Sequence, residues 1–481
     1  LFGEGVQVVA EAGREYKTLL PKASWAQQNP EDWWKGVAES IRSILTESRI
    51  APEDIKVISV SSQAPAVLPM TKEGEPLHDA LIWMDRRSTK ELEILEEKIG
   101  TKKVYEITGN RLDTYFTLTE LMWFLRNHPD MMKKCHKILQ VNGYINYKLT
   151  EVFSIDATHA SLTQLYDVHN NCWSEELFEA IGGDTKIMPD IYDCMDVIGH
   201  VSKKAAEETG LSTKTVVLGG AVDASAAALE VGVYGDGSIA EMTGTSSVVM
   251  FGFDGLVTCN ELSYLRGVKE NTTILFGAMN TAGGSLKWFR DALYGGETPQ
   301  NDAYPRINKE IEAGAKNPTG LIFLPYMAGE RAPIWDPNAR GTFIGMTMDT
   351  TRADMTQAVL EGVAFAIRDS FEVAKSLGIK IERTKICGGG AKSPLWKKMI
   401  ANILNIKVDV IESEEGPALG GAMLAAVANG EFASVEDAAA KIVKVIDTVE
   451  PEPELAAKYE EKYQKFAKIY PTVKDLFGEL L

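Results

Sequence analysis

The sequence predicts an α/β protein, because helical and strand-like stretches alternate along it. Val37, Ile41 and Leu45 recur at helical spacing before an apolar, β-branched stretch over 55–60, and a further strand is predicted over 6–10. This alternation is typical of α/β folds. The 481 residues correspond to about two to four domains, each able to bury its own core.

The second half of the chain repeats the alternation. Strands are predicted over 239–242, 274–278 and 321–324, and Thr351 with Asp354 forms a capping box that opens a long helix. Ser393 is the predicted N-cap of another helix, with Pro394 in its first position. A terminal helix after residue 453 is expected to dock through an aromatic stripe of Tyr459, Tyr463, Phe466 and Tyr470.

Composition and charge exclude several classes of partner. The net charge is −18, from 50 Lys+Arg and 68 Asp+Glu, and the sequence has no basic run. Phosphate-rich partners are held mainly by clustered cations, so we expect neither a nucleic-acid nor a membrane partner. Five cysteines without a C-x-x-C pair are typical of reduced thiols, which favours a cytoplasmic protein.

Three glycine-rich turns in the second half are candidate phosphate sites. They are Gly244-Thr245-Ser246, Gly283-Gly284 shortly before Lys287, and Gly388-Gly389-Gly390 ahead of Ser393. Such turns let backbone N–H groups approach an anion at a helix N-terminus. Each alone is equally well explained as a tight turn next to a strand, but three in one half favour a nucleotide.

Asp223 is the candidate catalytic carboxylate. It follows an apolar stretch and two glycines, within a region from Gly219 to Gly237 that is rich in small residues and where we place a domain boundary. One interpretation is a helix N-cap. The other is a base that accepts the proton of an alcohol during phosphoryl transfer, with Mg²⁺ neutralising the phosphate oxygens. The two roles are compatible.

The first half contains a candidate polyol site. Asp85, Arg86 and Arg87 directly follow an apolar run, where a carboxylate and guanidinium groups suit several hydroxyls, although a surface ion-pair cluster is the alternative. Tyr115 and Phe116 could stack on a sugar or belong to the core.

In order along the chain, these pieces resemble the FGGY family of carbohydrate kinases, within the actin-like ATPase superfamily. The resemblance rests on motifs spread over nearly the whole chain: Trp25-Ala26-Gln27-Gln28-Asn29-Pro30 with Trp33-Trp34, Ile82-Trp83-Met84-Asp85-Arg86-Arg87, the stretch around Asp223, Gly244-Thr245-Ser246, Gly388-Gly389-Gly390-Ala391 and Pro417-Ala418-Leu419-Gly420-Gly421-Ala422.

The resemblance implies two ribonuclease-H-like domains with a central cleft. Residues 1–232 would form the sugar-binding N-terminal domain and residues 233–481 the nucleotide-binding C-terminal domain. ATP and Mg²⁺ are the expected cofactors, and a homodimer is implied. Asp223 would be the general base and would reach the metal through water. The residues expected near the nucleotide are Gly244, Thr245, Ser246, Gly283, Lys287, Gly389, Gly390 and Ser393.

Two departures from the family pattern affect these expectations. Family members begin with a strand carrying an Asp-x-Gly-Thr-type turn for metal and phosphate, and this sequence starts after that point. After Gln63, xylulokinases usually carry Met-His and glycerol kinases Arg-Glu, whereas Ala64-Pro65 stand here. This pair leaves more room and fewer hydrogen-bond donors at the sugar.

The expected activity is ATP-dependent phosphorylation of a small ketose or polyol. The residues expected to bind that substrate are Gln63, Ala64, Pro65, Asp85, Tyr115 and Asp223. Asp85 and the stretch ending in Asp223 resemble xylulokinases, while Tyr115-Phe116 resembles glycerol kinases, and xylulose is the first candidate. The alternatives are a glycerol, gluconate or tetrulose kinase, or a nucleotide- and sugar-sensing protein without catalysis.

Overall fold

The structure is a computed structural model that describes residues 1–295, 303–314, 317–413 and 416–479. Helices and strands alternate throughout the described chain, which confirms the α/β prediction. No helix in these ranges is both long and apolar enough to cross a membrane.

The first half of the chain contains short strands and mostly short helices. Its strands are β1 (Gln27–Gln28), β2 (Val57–Ile58), β3 (Ser61–Ser62), β4 (Ala66–Met70), β5 (Ala80–Ile82), β6 (Lys137–Leu139), β7 (Ser154–Asp156), β8 (Tyr166–Asp167), β9 (Cys172–Trp173), β10 (Asp190–Tyr192), β11 (Val197–His200), β12 (Val216–Leu218) and β13 (Ala221–Val222). Its helices are α1 (Pro30–Ser48), α2 (Thr89–Lys98), α3 (Thr101–Thr108), α4 (Thr117–Asn127), α5 (Pro129–Met132), α6 (Val141–Thr150), α7 (Ala157–Ser161), α8 (Glu175–Ile181), α9 (Lys203–Thr209) and α10 (Asp223–Glu230).

The second half contains the longer elements. Its strands are β14 (Ile239–Thr243), β15 (Ser247–Asp254), β16 (Ser263–Arg266), β17 (Thr272–Met279), β18 (Ile322–Leu324), β19 (Thr342–Ile344), β20 (Arg383–Gly388), β21 (Lys407–Ile411) and β22 (Val445–Val449). Its helices are α11 (Gly283–Leu293), α12 (Ala303–Gly314), α13 (Arg352–Ser376), α14 (Pro394–Leu404), α15 (Pro417–Ala428), α16 (Val435–Ile442) and α17 (Pro453–Glu479).

Within the described ranges, seven strands of the second half form one mixed sheet in the order β16-β17-β15-β14-β20-β21-β22. β14 and β20 are parallel, with Thr243 opposite Gly388, while β15 runs antiparallel to both β14 and β17, with Ser247 opposite Met279. The ends of β14, β17 and β20 and the start of β15 therefore lie at one end of the sheet. The three predicted glycine-rich turns follow β14, β17 and β20 at that end.

In the first half, the short parallel pair β3 and β13 positions the candidate base. Ala221 lies opposite Ser61 and Val222 opposite Ser62, so Asp223 leaves the pair at the same end as Gln63. β4 and β5 are antiparallel and lie beside β1 and β6.

The helix predictions are largely confirmed. Thr351 and Asp354 form the capping box that opens α13, and Ser393 caps α14 by accepting a hydrogen bond from Trp396 N–H at 3.3 Å. The aromatic stripe of α17 docks as predicted, with Tyr459 and Phe466 buried against the core of the second half.

The strand predicted over 6–10 is wrong. Residues Glu4–Val6 form a 3₁₀ turn, and the segment makes a single isolated bridge, between Phe2 and Val8. Val8 and Val9 are exposed. β-branched residues favour a strand only where a pairing strand and a face to bury against are present.

The two halves meet where α10 approaches α15. A Cβ atom added at Gly420 would lie 2.0 Å from the carbonyl oxygen of Ala226, so the two helix backbones are in direct contact there. Glu230 Oε1, at the end of α10, also accepts hydrogen bonds from Ser413 Oγ and Gly416 N–H at 2.9 and 3.0 Å.

Candidate active site

The turn after β14 is held by the turn after β17. The N–H groups of Ala282 and Gly284 both donate to Thr245 O at 2.9 Å, and Gly283 N–H donates to Gly244 O at 3.1 Å. A Cβ atom at Gly283 would lie 2.4 Å from Gly244 O, so only glycine permits this approach. Gly244 and Thr245 themselves remain exposed. The first two glycine-rich turns are therefore one compact unit, as phosphate-binding turns require.

The turn after β20 joins the same unit through Thr243. Gly388 has φ +82°, and a Cβ atom there would lie 2.5 Å from Thr243 O, whereas Gly390 packs against the Thr243 side chain. Gly389 differs from both, because it has an ordinary helical φ of −62° and its Cβ would meet nothing closer than 3.8 Å. Packing within the protein therefore explains glycine at 388 and 390 but not at 389.

Three further residues expected near the nucleotide have separate environments. The Ser393 hydroxyl is engaged in capping α14. Lys287 lies in the second turn of α11 and is exposed, and Ser246 accepts a hydrogen bond from Gly244 N–H at 2.8 Å through its carbonyl oxygen.

Asp223 is the first residue of α10. The N-cap position belongs to Val222, which has no side-chain cap, so the N-cap interpretation of Asp223 is wrong. Its Oδ1 instead accepts a hydrogen bond from Ala224 N–H at 2.7 Å. Burial raises the pKa of Asp223 above its ordinary value, and this hydrogen bond acts in the opposite direction. A carboxylate of raised pKa accepts a proton more readily than an ordinary one.

A cleft of about 1160 Å³ separates the two halves in front of Asp223. Its walls include Ser62, Gln63 and Asp223 from the first half and Pro417 and Gly421 from the second. One apolar cluster behind the cleft contains Val222, Met242 and Cys387. Val222 directly precedes Asp223, Met242 lies just before the turn after β14, and Cys387 lies just before the turn after β20. The candidate base and these two glycine-rich turns are therefore attached to the same apolar cluster.

The segment after β3 presents few polar groups. Gln63 Nε2 donates to Gln28 Oε1 at 2.8 Å, and the same oxygen accepts from Trp33 Nε1 at 3.0 Å. Ala64 packs against the apolar cluster that contains Val222, and Pro65 is buried. Ser62, Gln63 and Asp223 are among the residues that offer polar groups to the cleft here.

Asp85 is fully buried. Its carboxylate accepts hydrogen bonds from Ala26 N–H at 2.6 Å and from the Arg87 backbone N–H and guanidinium at 2.8 to 3.0 Å. The ion pair of Asp85 and Arg87 is therefore internal, and the alternative of a surface ion-pair cluster is wrong. Within this geometry Asp85 orients the segment that carries Arg86.

Tyr115 lies next to that segment. Its ring stacks on Phe116 with centroids 4.1 Å apart, and the Arg86 guanidinium carbon lies 4.8 Å from its ring centroid. Burial raises the pKa of Tyr115, while the charges of Arg86 and of Arg331, from the second half, act against this. Phe116 is buried, as its core alternative predicts, while Tyr115 is half-buried.

Sequence reasoning missed two buried carboxyl groups near the turns. Glu241 on β14 accepts hydrogen bonds from the Thr243 and Ser247 hydroxyls, the latter at 2.7 Å, and burial raises its pKa to about 7. Glu330 accepts from Asn280 N–H at 2.9 Å just after β17, and burial raises its pKa to about 7 as well. An acidic residue within a strand gave no sequence signal beyond its disagreement with the apolar pattern.

It also missed His159, a fully buried imidazole on α7 that bridges Asp156 and Ser62. The only available signal was Asp156 as a helix N-cap, which the structure shows accepting from the N–H groups of Thr158 and His159.

Of the predicted site residues, Gln63 and Asp223 line the cleft, whereas the glycine-rich turns, Asp85 and Tyr115 are not among the residues of its wall. A Cβ atom at Gly389 would meet nothing closer than 3.8 Å, so the backbone of the turn after β20 is accessible there. No group of three or more His, Cys, Asp or Glu in the described ranges is arranged to hold a metal.

Comparison with known proteins agrees with this geometry. The models of the N-terminal and C-terminal domains of the FGGY family of carbohydrate kinases match residues 1–230 and 240–429. A xylulose kinase of Bacillus subtilis (strain 168) is 30% identical over 483 residues, covering 99% of this chain and 95% of that protein. A glycerol kinase of Alteromonas mediterranea is 28% identical over 450 residues, covering 91% and 89%.

The crystal structure of xylulose kinase from Rhodospirillum rubrum superimposes with a TM-score of 0.89 at 25% identity, covering 98% of this chain and 95% of that one. Such neighbours have the two-domain, actin-like ATPase fold with a central cleft that the sequence predicts. Both halves of the chain, and nearly its full length, are thus accounted for, and the chain belongs to the FGGY family of carbohydrate kinases.

Proposed function

We propose that the protein transfers the γ-phosphoryl group of ATP to a terminal hydroxyl of a small ketose, with xylulose as the first candidate. The observation that carries this proposal is the half-buried Asp223 carboxylate, which lines the cleft between the two halves. The similarity to xylulose kinases over nearly the full chain supports the choice of substrate.

In the proposed reaction, each group of the chain has one task. The exposed Gly244-Thr245 turn and Gly389 bind the phosphates, and residues 233–481 supply most of the nucleotide site. Asp223 accepts the proton of the sugar hydroxyl as that oxygen attacks phosphorus, and its raised pKa favours this step. Mg²⁺ supplies charge neutralisation on the phosphate oxygens, and Asp223 would hold it through water.

A glycerol or gluconate kinase is the second candidate within the same reaction class. Ala64 and Pro65 offer no side-chain hydrogen bonds to a sugar, so the chemistry of this end of the cleft does not single out xylulose. The similarity to a glycerol kinase favours keeping this candidate. We further propose a homodimer in the cytoplasm, where the five free cysteines are compatible with a reducing environment.

The test is ADP release in a coupled assay with MgATP and a panel of xylulose, ribulose, erythrulose, glycerol and gluconate. Strong turnover on one member identifies the substrate. Asp223→Asn should lower kcat by about a hundredfold to ten-thousandfold, the range of a general base, while the ATP dissociation constant stays within about twofold.

Asp349→Asn, at an exposed position away from the cleft, is the matched control and should retain full turnover. Near-normal turnover in Asp223→Asn would remove Asp223 from the role of base. Silence across the panel with ATP binding intact would contradict the kinase proposal and favour a nucleotide- and sugar-sensing protein.

A further inference from the structure

A buried histidine connects the cleft to an internal carboxylate. His159 Nδ1 lies 2.5 Å from Asp156 Oδ2, and its Nε2 lies 3.0 Å from Ser62 Oγ. His159 and Asp156 are both fully buried, whereas Ser62 lines the cleft. The three side chains therefore form one chain of hydrogen bonds that ends at the cleft wall.

The surroundings of Asp156 fix the direction of that chain. Its carboxylate accepts from the N–H groups of Thr158 and His159 at 3.0 and 3.1 Å, and also from the Thr158 hydroxyl and Asn142 Nδ2. The backbone N–H groups and the Asn142 amide donate to this carboxylate, which acts as the acceptor throughout, so we assign a proton to Nδ1 of His159. In the neutral ring Nε2 is then an acceptor, and the Ser62 hydroxyl donates to it.

Ser62 is also close to the candidate base. Register in the β3 and β13 pair sets Ser62 opposite Val222, the residue before Asp223, and Val222 N–H donates to Thr158 Oγ1 at 2.8 Å. Thr158 is bonded in turn to Asp156. The strand that delivers Asp223 and the side chain of Ser62 are thus fixed by the same buried carboxylate.

We propose that Ser62 is a specificity-determining residue whose hydroxyl accepts a hydrogen bond from a hydroxyl of the sugar. The Ser62 hydroxyl donates its own proton to His159 Nε2, so toward the ligand it can only accept a hydrogen bond. His159 and Asp156 are positioning residues that keep the Ser62 hydroxyl in this acceptor role. The proposal rests on the proposed function, because it names a residue that reads the substrate of the same cleft.

Competing arrangements of Ser62 are weaker. The alternative acceptor for its proton, the Gln63 carbonyl oxygen, lies at 3.4 Å, beyond the usual range for a hydroxyl donor. Since Ala64 and Pro65 contribute no polar side chain, a fixed acceptor at Ser62 has few competitors for a sugar hydroxyl.

The first test does not depend on turnover. Selective ¹⁵N-histidine labelling at pH 8 should show the His159 ring, identified as the signal absent in His159→Asn, as the Nδ1–H tautomer. Its Nε2 resonance should move in Ser62→Ala, which removes the donor. His78, whose Nδ1 lies 2.7 Å from the Asp79 carbonyl oxygen, should give a separate Nδ1–H signal that both variants retain. An Nε2–H tautomer for His159 would make Ser62 a donor to the sugar and overturn the proposal, whether or not the protein is an active kinase.

The second test measures sugar affinity by calorimetry and by KM. Ser62→Ala and His159→Asn should each weaken sugar binding about fivefold to tenfold with the KM for ATP unchanged, and the double variant should be no worse than either. His159→Gln, which can present an amide oxygen near the Nε2 position, should recover part of the loss. A deoxy sugar that lacks the hydroxyl concerned should bind Ser62→Ala and wild type equally.

The outcomes separate the two proposals. Sugar binding that depends on Ser62 without phosphoryl transfer contradicts the proposed function and supports the role of Ser62. Sugar affinity within twofold of wild type in Ser62→Ala, or no sugar binding by the wild type, overturns the role of Ser62.

Discussion

Replacing Gly389 by valine should separate nucleotide binding from folding. The residue is exposed, with φ −62° and ψ −35°, and a Cβ atom there would come no closer than 3.8 Å to Thr243 O. The protein therefore has room for a side chain at 389, and the loss of backbone freedom in the unfolded chain offsets any small cost. We expect the free energy of unfolding to change by less than about 1 kcal/mol.

Nucleotide affinity should respond differently, because valine occupies the space in which phosphate would approach the backbone. Loss of one charge-assisted N–H hydrogen bond costs about 1.5 to 3 kcal/mol, which corresponds to about a tenfold to hundredfold rise in the ADP dissociation constant. Calorimetric titration with MgADP measures this change, and thermal unfolding without ligand measures stability.

Two companion variants make the result decisive. Gly13→Val, at an exposed glycine with no atom within 4 Å of the added Cβ, should leave both quantities unchanged. Gly388→Ala should lower stability, because its φ is +82° and its Cβ would lie 2.5 Å from Thr243 O. An ADP dissociation constant in Gly389→Val within twofold of wild type, in a folded protein, would refute the assignment of this turn to the nucleotide.

Three other changes test buried groups. Relative to wild type, Glu241→Gln should gain stability by up to about 3 kcal/mol as pH rises from about 4.5 to 7, because the carboxyl of the unfolded chain ionises in that window and the buried one does not. Thermal melts between pH 4.5 and 8, with the exposed Glu97→Gln as control, measure this difference in stability. A difference that stays constant with pH would contradict the prediction. Lys462→Met should cost about 3 to 5 kcal/mol in denaturant titration, since Lys462 donates to Glu361 and to the carbonyl oxygens of residues 319 and 321, and Glu361→Gln in the same chain should restore part of the loss. Asp85→Asn should cost a similar amount in urea titration by leaving Arg87 without its counter-charge, and an unchanged midpoint would show that the pair is dispensable.

Local signals in the sequence were sufficient for many elements of the fold. The capping box at Thr351 and Asp354 and the Ser393-Pro394 helix start depend only on neighbouring residues, and both are present as predicted. The stretch over 6–10 has strand-like composition, but pairing is a property of distant partners, and it forms one isolated bridge instead. Local propensity therefore predicted helix starts better than strand pairing.

The site shows the same division. Glycine-rich turns and an aspartate after a strand can be recognised along the chain, and the structure brings the turns at Gly244, Gly283 and Gly388 to one end of a sheet. The roles of His159 and Glu241 could not be found this way. Each is defined by partners that reach it through tertiary packing, and a buried histidine or glutamate in the sequence has no distinguishing periodicity.

The contact of Gly420 with Ala226 has a mechanical consequence. Because no side chain separates the two helix backbones here, this contact can act as a pivot between the two halves. Ala226 lies three residues, or about 4.5 Å along α10, from Asp223. If one half rotates about this pivot, the displacement of each residue grows with its distance from the pivot. Residues at the edges of the cleft would then move far more than the Asp223 carboxylate at the start of α10.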